Sequence, residues 1–158
     1  MSLNLTSSAF DSGESIPMKY TCEGANISPP FSWEGVPQDT DRLVLICDAP
    51  DASSGTAGPF SHWVLYDLPP HQVHIPEGYS PGSDDSPDGV EGRNSFGNLG
   101  YDGPCPPSGP AHNYVFRFYT LSGDPELPPG ANRAQVLDSI EAHIIEKTEY
   151  YGTYASSG

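Results

Sequence analysis

Three segments of the chain carry the residue pattern of buried β-strands. Branched aliphatic and aromatic residues dominate all three, which are residues 43–47 (LVLIC), 63–68 (WVLYDL) and 114–121 (YVFRFYTL). The first is apolar throughout, as expected of a strand covered on both faces. In the third, a period of two puts Tyr114 on one side and Val115 on the other, and both sides are largely apolar. The pattern predicts a sheet with the third strand near its centre.

One helix is predicted near the C-terminus, over residues 132–152. Apolar and small residues recur there at spacings of three and four, namely Leu137, Ile140, Ile144 and Thr148. Asn132 is suited to cap the first turn, Gln135 stands where a capping-box partner would, and Gly152 offers a left-handed stop. The spacing predicts a helix whose apolar stripe packs on the sheet.

The composition favours a β protein rich in loops. The chain has 158 residues, which suits one domain over 1–158, and its 18 Pro and 17 Gly disfavour a helical bundle. Gly, Pro, Ser and Asp are dense between residues 69 and 110. So long a loop inside a compact domain is either disordered or functional.

The charge of the chain limits the class of partner. A net charge of -15, from 21 acidic and 6 basic residues, would repel a polyphosphate backbone or an anionic lipid surface. The sequence therefore predicts no nucleic-acid partner and no membrane insertion. Two interpretations of the acidity stay open: ordinary solubility, or a salt-rich cell interior in which self-repulsion is screened.

The cysteines and the N-terminus bear on the compartment. The chain has three widely spaced cysteines, Cys22, Cys47 and Cys105, so we expect reduced thiols rather than a disulfide framework. The absence of a C-x-x-C motif also disfavours a structural zinc site. The first ten residues, MSLNLTSSAF, lack the pattern of a secretory leader, and no run of 18 apolar residues occurs. These features predict a soluble, cytoplasmic protein.

Four sequence blocks resemble one known family in their order and spacing. They are NISPPFSWEGVP (26–37), LVLICDAPDA (43–52), HWVLYDLP (62–69) and GRNSFGNLGYDGPCPPSGPAHNYVFRFYTL (92–121). The family is that of the phosphatidylethanolamine-binding proteins, and the likeness is greatest to its bacterial and archaeal Raf-kinase-inhibitor-like branch. The resemblance implies a mainly β fold: a β-sandwich with a larger central sheet, a smaller sheet and a C-terminal helix. It also implies a small anion-binding pocket at one end of the central sheet.

The resemblance also implies which residues form the pocket. They are His62, His112 and Tyr114, Pro50 and Asp51 of an acidic element, and Gly103, Pro104, Cys105 and Pro106 of a Gly-Pro loop. The acidic element departs from the family pattern, because Ala49 replaces its first Asp and Ser53 its last Pro. Asp48 is no obvious substitute, since adjacent side chains of an extended chain point to opposite faces.

Two imidazoles facing one cavity would offer N–H donors whose number rises on protonation, which suits a phosphate-like anion or a phosphorylated head group. The leading hypothesis is thus a non-enzymatic binding protein that needs no cofactor. The family's name implies modulation of a partner protein such as a kinase, although nothing in this chain specifies one. Pairing with a second copy of the chain also stays open.

The sequence also contains residues that suit two other classes of site. A hydrolase could use the Cys105 thiol with His112 as base and Asp51 as orienting acid, but the chain has neither a G-x-S-x-G elbow nor a cysteine-protease signature. A metal site could use His62, His112 and a carboxylate, although the spacing matches no zinc motif. Both are less favoured than anion binding.

Overall fold

The computed structural model describes residues 3–53, 59–80, 89–105, 110–128 and 130–155. These residues form two β-sheets and one α-helix. In chain order the elements are β1 (Asn4–Thr6), β2 (Glu14–Ser15), β3 (Phe31–Glu34), β4 (Arg42–Ser53), β5 (Pro59–Leu68), β6 (His74–Ile75), β7 (Val90–Glu91), β8 (His112–Leu121), α1 (Arg133–Ile140) and β9 (Ile144–Tyr154). Single turns of 3-10 helix cover Met18–Tyr20 and Glu141–His143.

The larger sheet has six strands in the order β2-β9-β8-β4-β5-β7, and the smaller has three in the order β1-β3-β6. The three strands predicted from the sequence lie within β4, β5 and β8, and this prediction is confirmed. β4 runs antiparallel to both of its neighbours, β5 and β8. The first residues of β5 and β8 therefore lie at the same end of the sheet.

The two faces of the larger sheet bury two separate cores. Along β4, Leu43, Leu45 and Cys47 pack in a first core with residues of the smaller sheet such as Trp33. The alternate residues, Val44 and Ile46, pack in a second core with Val136 and Ile140 of α1. This period of two gives three layers, smaller sheet, larger sheet and helix, and it confirms the predicted sandwich.

The helix predicted over residues 132–152 is wrong beyond its first third. The capping box at Asn132 and Gln135 is present, but α1 ends at Ile140. The chain then forms β9, which pairs antiparallel with β8 along almost the whole length of that strand. Ladder hydrogen bonds and a period of two that buries Tyr150, Gly152 and Tyr154 override the helical spacing.

Gly152, expected to stop the helix, lies instead inside β9. A Cβ at this position would lie 2.5 Å from Cγ1 of Ile16. Glycine is required there because the backbone of β9 packs directly against that side chain.

A buried carboxylate fastens α1 to the larger sheet. The side chain of Asp48 is fully buried on the helix face and accepts hydrogen bonds from Nε of Arg117 at 3.1 Å and from Nε of Arg133 at 3.0 Å. Arg117 also contacts Glu149 of β9 at 2.5 Å. Asp48 therefore points away from the first core, as the alternation of an extended strand predicts.

No helix among the residues described is both long and apolar enough to cross a membrane.

Candidate functional site

The orientation of His62 is set by an irregularity in the pairing of β4 with β5. Cys47 pairs with Trp63, yet the next residue, Asp48, pairs with Ser61, so His62 is an extra residue in β5. A β-bulge of this kind breaks the alternation of side chains and re-aims one of them. Trp63 is in the first core, and the ring of His62 contacts Tyr114 of the same core, so two adjacent residues share one face.

His62 is held in one tautomer by a backbone carbonyl. Its ring is buried, with 4% of the residue exposed, and Nδ1 lies 2.7 Å from the carbonyl oxygen of Asp102. A carbonyl can only accept, so Nδ1 carries the proton of the neutral ring. Nε2 is then the position that gains a proton when the ring becomes cationic.

Burial lowers the pKa of His62 below its ordinary value of 6.5, because a charged imidazole is poorly solvated inside the protein. The carbonyl groups of Asp102 and Gly103, and the charges of Asp102 and Asp48, partly oppose this lowering of the pKa. The ring is therefore neutral near pH 7, and a bound anion would favour its protonation.

Tyr114 and His112 lie on the same face of β8. Tyr114 is buried and contacts the ring of His62 edge to face, with centroids 5.4 Å apart. His112, two residues earlier, is half-buried and shares the face of Tyr114 by the alternation of the strand. The structure thus brings His62 and Tyr114 into contact and puts His112 at the same end of the sheet.

The first part of the Gly-Pro loop lies beside His62. Gly103 and Pro104 are buried, and the amide of Gly103 donates to Oδ1 of Asn26 at 2.8 Å. A Cβ on Gly103 would lie only 2.1 Å from the carbonyl oxygen of Tyr20, so glycine alone fits this close approach. The Tyr101 hydroxyl donates to the same carbonyl at 2.6 Å.

Cys105 is bonded to Cys22, which contradicts the prediction of reduced thiols for these two cysteines. The sulfur atoms are 2.05 Å apart across a sequence separation of 83 residues. Nothing in the spacing of the cysteines indicates this pair; it forms because the loop at Pro104, whose carbonyl accepts from the amide of Cys22, packs against the segment near Tyr20. Cys47 is a free, buried cysteine of the first core, as its apolar strand indicates.

The disulfide also bears on the hydrolase hypothesis. A nucleophilic cysteine must be a thiolate, and the sulfur of Cys105 is instead engaged with Cys22. The Cys105–His112 pair therefore lacks its nucleophile in this state.

The remaining predicted site residues are only partly described. Ala49 is buried in the first core and Pro50 is exposed at the far part of β4. The side chain of Asp51 lies outside what the structure describes, as does Pro106. Within the described ranges, no group of three or more His, Cys, Asp or Glu residues is placed to hold a metal ion.

Sequence reasoning missed three residues beside His62. The carbonyl of Asp102 fixes the tautomer of His62, and the side chain of Asn94 donates to the side chain of Asp102. The ring of Phe96 contacts the ring of His62. Asp102 contacts His62 through its backbone carbonyl, so the type of its side chain gave no indication of that contact. The run GRNSFGN (92–98) contains one aromatic residue among Asn, Ser and Gly, and this is a local cue in the sequence.

Comparison with protein families gives a match over nearly the whole chain. The family model described as phosphatidylethanolamine-binding protein matches residues 6–155. The chain belongs to this family. The resemblance stated from the four sequence blocks is thereby confirmed.

Relatives and solved structures of the phosphatidylethanolamine-binding protein family agree with this assignment. A UPF0098 protein of Methanothermobacter thermautotrophicus is 45% identical over 153 residues, which cover 96% of this chain and 98% of the relative. A phosphatidylethanolamine-binding protein homologue from Chlamydia trachomatis has a crystal structure with a TM-score of 0.88 and 37% identity, covering 99% of both chains. YbcL of E. coli, a member of the same family, gives a TM-score of 0.88 at 28% identity, covering 99% of this chain and 100% of that one.

Proposed function

We propose that this member of the phosphatidylethanolamine-binding protein family is a non-enzymatic binding protein whose pocket, at His62 and His112, takes a small phosphate-like anion or a phosphorylated head group. The observation that carries the proposal is the hydrogen bond from Nδ1 of His62 to the carbonyl of Asp102. With that proton committed to the backbone, protonation adds an N–H donor at Nε2. A buried donor of this kind stabilises an anionic oxygen more strongly than a solvated one.

The net charge of the chain supports a site that binds proton and anion together. An anion approaching a protein of net charge -15 meets repulsion, and a neutral His62 offers it no charge. Binding is favourable when the imidazole takes up a proton in the same step, because charge-assisted hydrogen bonds contribute about 1.5–3 kcal/mol each. The imidazole of His62 is thus neutral while the pocket is empty, and it forms an ion pair with the anion when the pocket is filled.

Isothermal titration with sulfate and with inorganic phosphate tests the proposal. We expect the double variant His62→Ala/His112→Ala to lose at least about tenfold in affinity for both anions, because each imidazole supplies a charge-assisted bond. The matched control is His71→Ala/His74→Ala, which removes two exposed histidines from the segment around β6 and should bind as the wild type does. Equal binding by all three proteins would refute the proposed site.

The pH dependence of sulfate binding gives a second test. Sulfate does not titrate in this range, so the affinity should rise as pH falls below about 6.5, as His62 takes up a proton in the complex. The unfolded chain binds this proton more readily than the empty folded protein, since burial lowers the pKa of His62 in the fold. The ligand-free protein should therefore lose stability as pH falls through this range, and sulfate should restore part of it. Thermal unfolding from pH 7.5 to 5, with and without sulfate, measures both effects, and a sulfate shift in Tm that is independent of pH would contradict the coupling.

Modulation of a kinase or another partner protein remains an expectation from the family resemblance, and no described contact favours a particular partner. The same holds for pairing with a second copy of the chain. The proposal does not depend on either.

A further inference from the structure

We propose that Phe96 is a specificity-determining residue of the anion pocket, so that the preferred ligand is a singly phosphorylated compound carrying a compact apolar group. This inference rests on the proposed anion site. The ring of Phe96 lies edge to face against His62, with centroids 5.4 Å apart, and against Phe60, with centroids 4.7 Å apart. Yet 47% of Phe96 is exposed. An apolar surface is thus presented to solvent directly beside the imidazole.

The exposed ring is fixed in place by its own loop. Asn94 is buried, and its Oδ1 accepts from the amides of Phe96 at 3.0 Å and Asn98 at 3.1 Å. Its Nδ2 donates to Oδ2 of Asp102 at 2.8 Å, and Asp102 is the residue whose carbonyl holds His62. One side chain therefore ties the position of Phe96 to that of the imidazole.

A second set of bonds ties the loop to the strand of His62. The amide of Ser95 donates to the carbonyl of Ser61 at 2.8 Å, and the amide of Ser61 donates to the Ser95 hydroxyl at 2.8 Å. Gly97 follows Phe96 at a φ of +86°, a conformation that favours glycine and turns the chain back. The hydrogen bonds of this loop thus hold an aromatic ring in a fixed position exposed to solvent. Such an arrangement is typical of a preorganised contact surface.

The charge of the protein narrows the ligand class. A net charge of -15 opposes polyanions more than singly phosphorylated compounds, because repulsion grows with ligand charge. An apolar group next to the phosphate would cover the exposed part of Phe96 and add binding energy that does not depend on charge. A monoester with a compact apolar group satisfies both conditions, whereas inorganic phosphate would use only the two imidazoles of the site.

Titration with phenyl phosphate and methyl phosphate tests this inference, because the two monoesters have the same charge and differ in their apolar group. We expect the wild type to bind phenyl phosphate about tenfold more tightly, as one additional aromatic contact would provide. Phe96→Ala should lose this preference while its affinity for methyl phosphate changes less than about threefold. The control Leu99→Ala removes another exposed apolar residue of the same loop, 46% exposed, that lines a separate cavity with Tyr101, and it should keep the preference.

The outcomes separate the inference from the function on which it rests. Equal binding of the two esters by the wild type, or a preference that survives in Phe96→Ala, overturns the role of Phe96 and leaves the anion site intact. Equal loss of both esters in Phe96→Ala also overturns it, because the residue would then act on the site as a whole. Failure of the wild type to bind either ester overturns the anion site and the inference together.

Discussion

Reduction of the Cys22–Cys105 disulfide will lower the free energy of unfolding by about 4 kcal/mol. The bond closes a loop with a sequence separation of 83 residues, and a cross-link over so long a loop removes much conformational entropy from the unfolded chain. Both cysteines are exposed, so dithiothreitol can reach them in the folded protein. Urea unfolding of the wild type with and without dithiothreitol measures the difference.

The variant Cys22→Ser/Cys105→Ser provides the control for this experiment. It should unfold at the same urea concentration with and without the reductant, close to the midpoint of the reduced wild type. Thiol titration of the unfolded protein should give one free cysteine before reduction, Cys47, and three after it. An unchanged midpoint in a sample with all thiols free would show that the bond contributes little.

Asp48→Asn will destabilise the fold by about 3 kcal/mol, although the two side chains have nearly the same size and shape. The side chain is fully buried and receives Nε–H donors from Arg117 and Arg133, so the variant leaves two guanidinium groups without their shared counter-charge. The arginine side chains keep 27% and 21% of their surface exposed, which holds the cost at the lower end of the range for broken buried pairs. Chemical unfolding of the variant and the wild type at pH 7 measures the loss.

Asp124→Asn is the matched control, because the same change of side chain then removes the charge from an exposed ion pair, that of Asp124 with Arg42. Asp124 pairs with Arg42 at 3.3 Å, and 41% of its side chain is exposed. Exposed pairs contribute about 0.2–1 kcal/mol, and Asn keeps an oxygen for the amide of Glu126. If the two variants lose equal stability, the network around Asp48 has no special role in fastening α1 to the sheet.

The long strands could be predicted because a strand that is buried on both faces is apolar along most of its length. The run LVLIC faces two cores, so no position in it tolerates a polar residue. The sequence of β9, in contrast, is compatible with both a helix and a strand. Ile144 and Thr148 fit a helical stripe with Ile140, and only pairing with β8 decides in favour of β9.

Residues of the candidate site could be named from the sequence, but their geometry could not. His62, Tyr114 and Gly103 could be named from the family resemblance, and they lie at one end of the sheet. The β-bulge that turns His62 inward depends on the pairing of two strands, which local sequence does not specify. The same limit applies to the Cys22–Cys105 bond, since only the folded chain brings the two segments together.

The extra residue in β5 has a consequence for how the chemistry of the proposed pocket could change. The backbone pairing on either side, of Cys47 with Trp63 and of Asp48 with Ser61, directs the side chain at position 62 toward the face of the sheet that carries Tyr114. A cysteine, an aspartate or a glutamine at this position would point to the same face of the sheet, because the bulge is set by the pairing of the backbone. The backbone thus fixes the direction of the side chain at position 62, and a single substitution at this position could change the ligand preference of the protein.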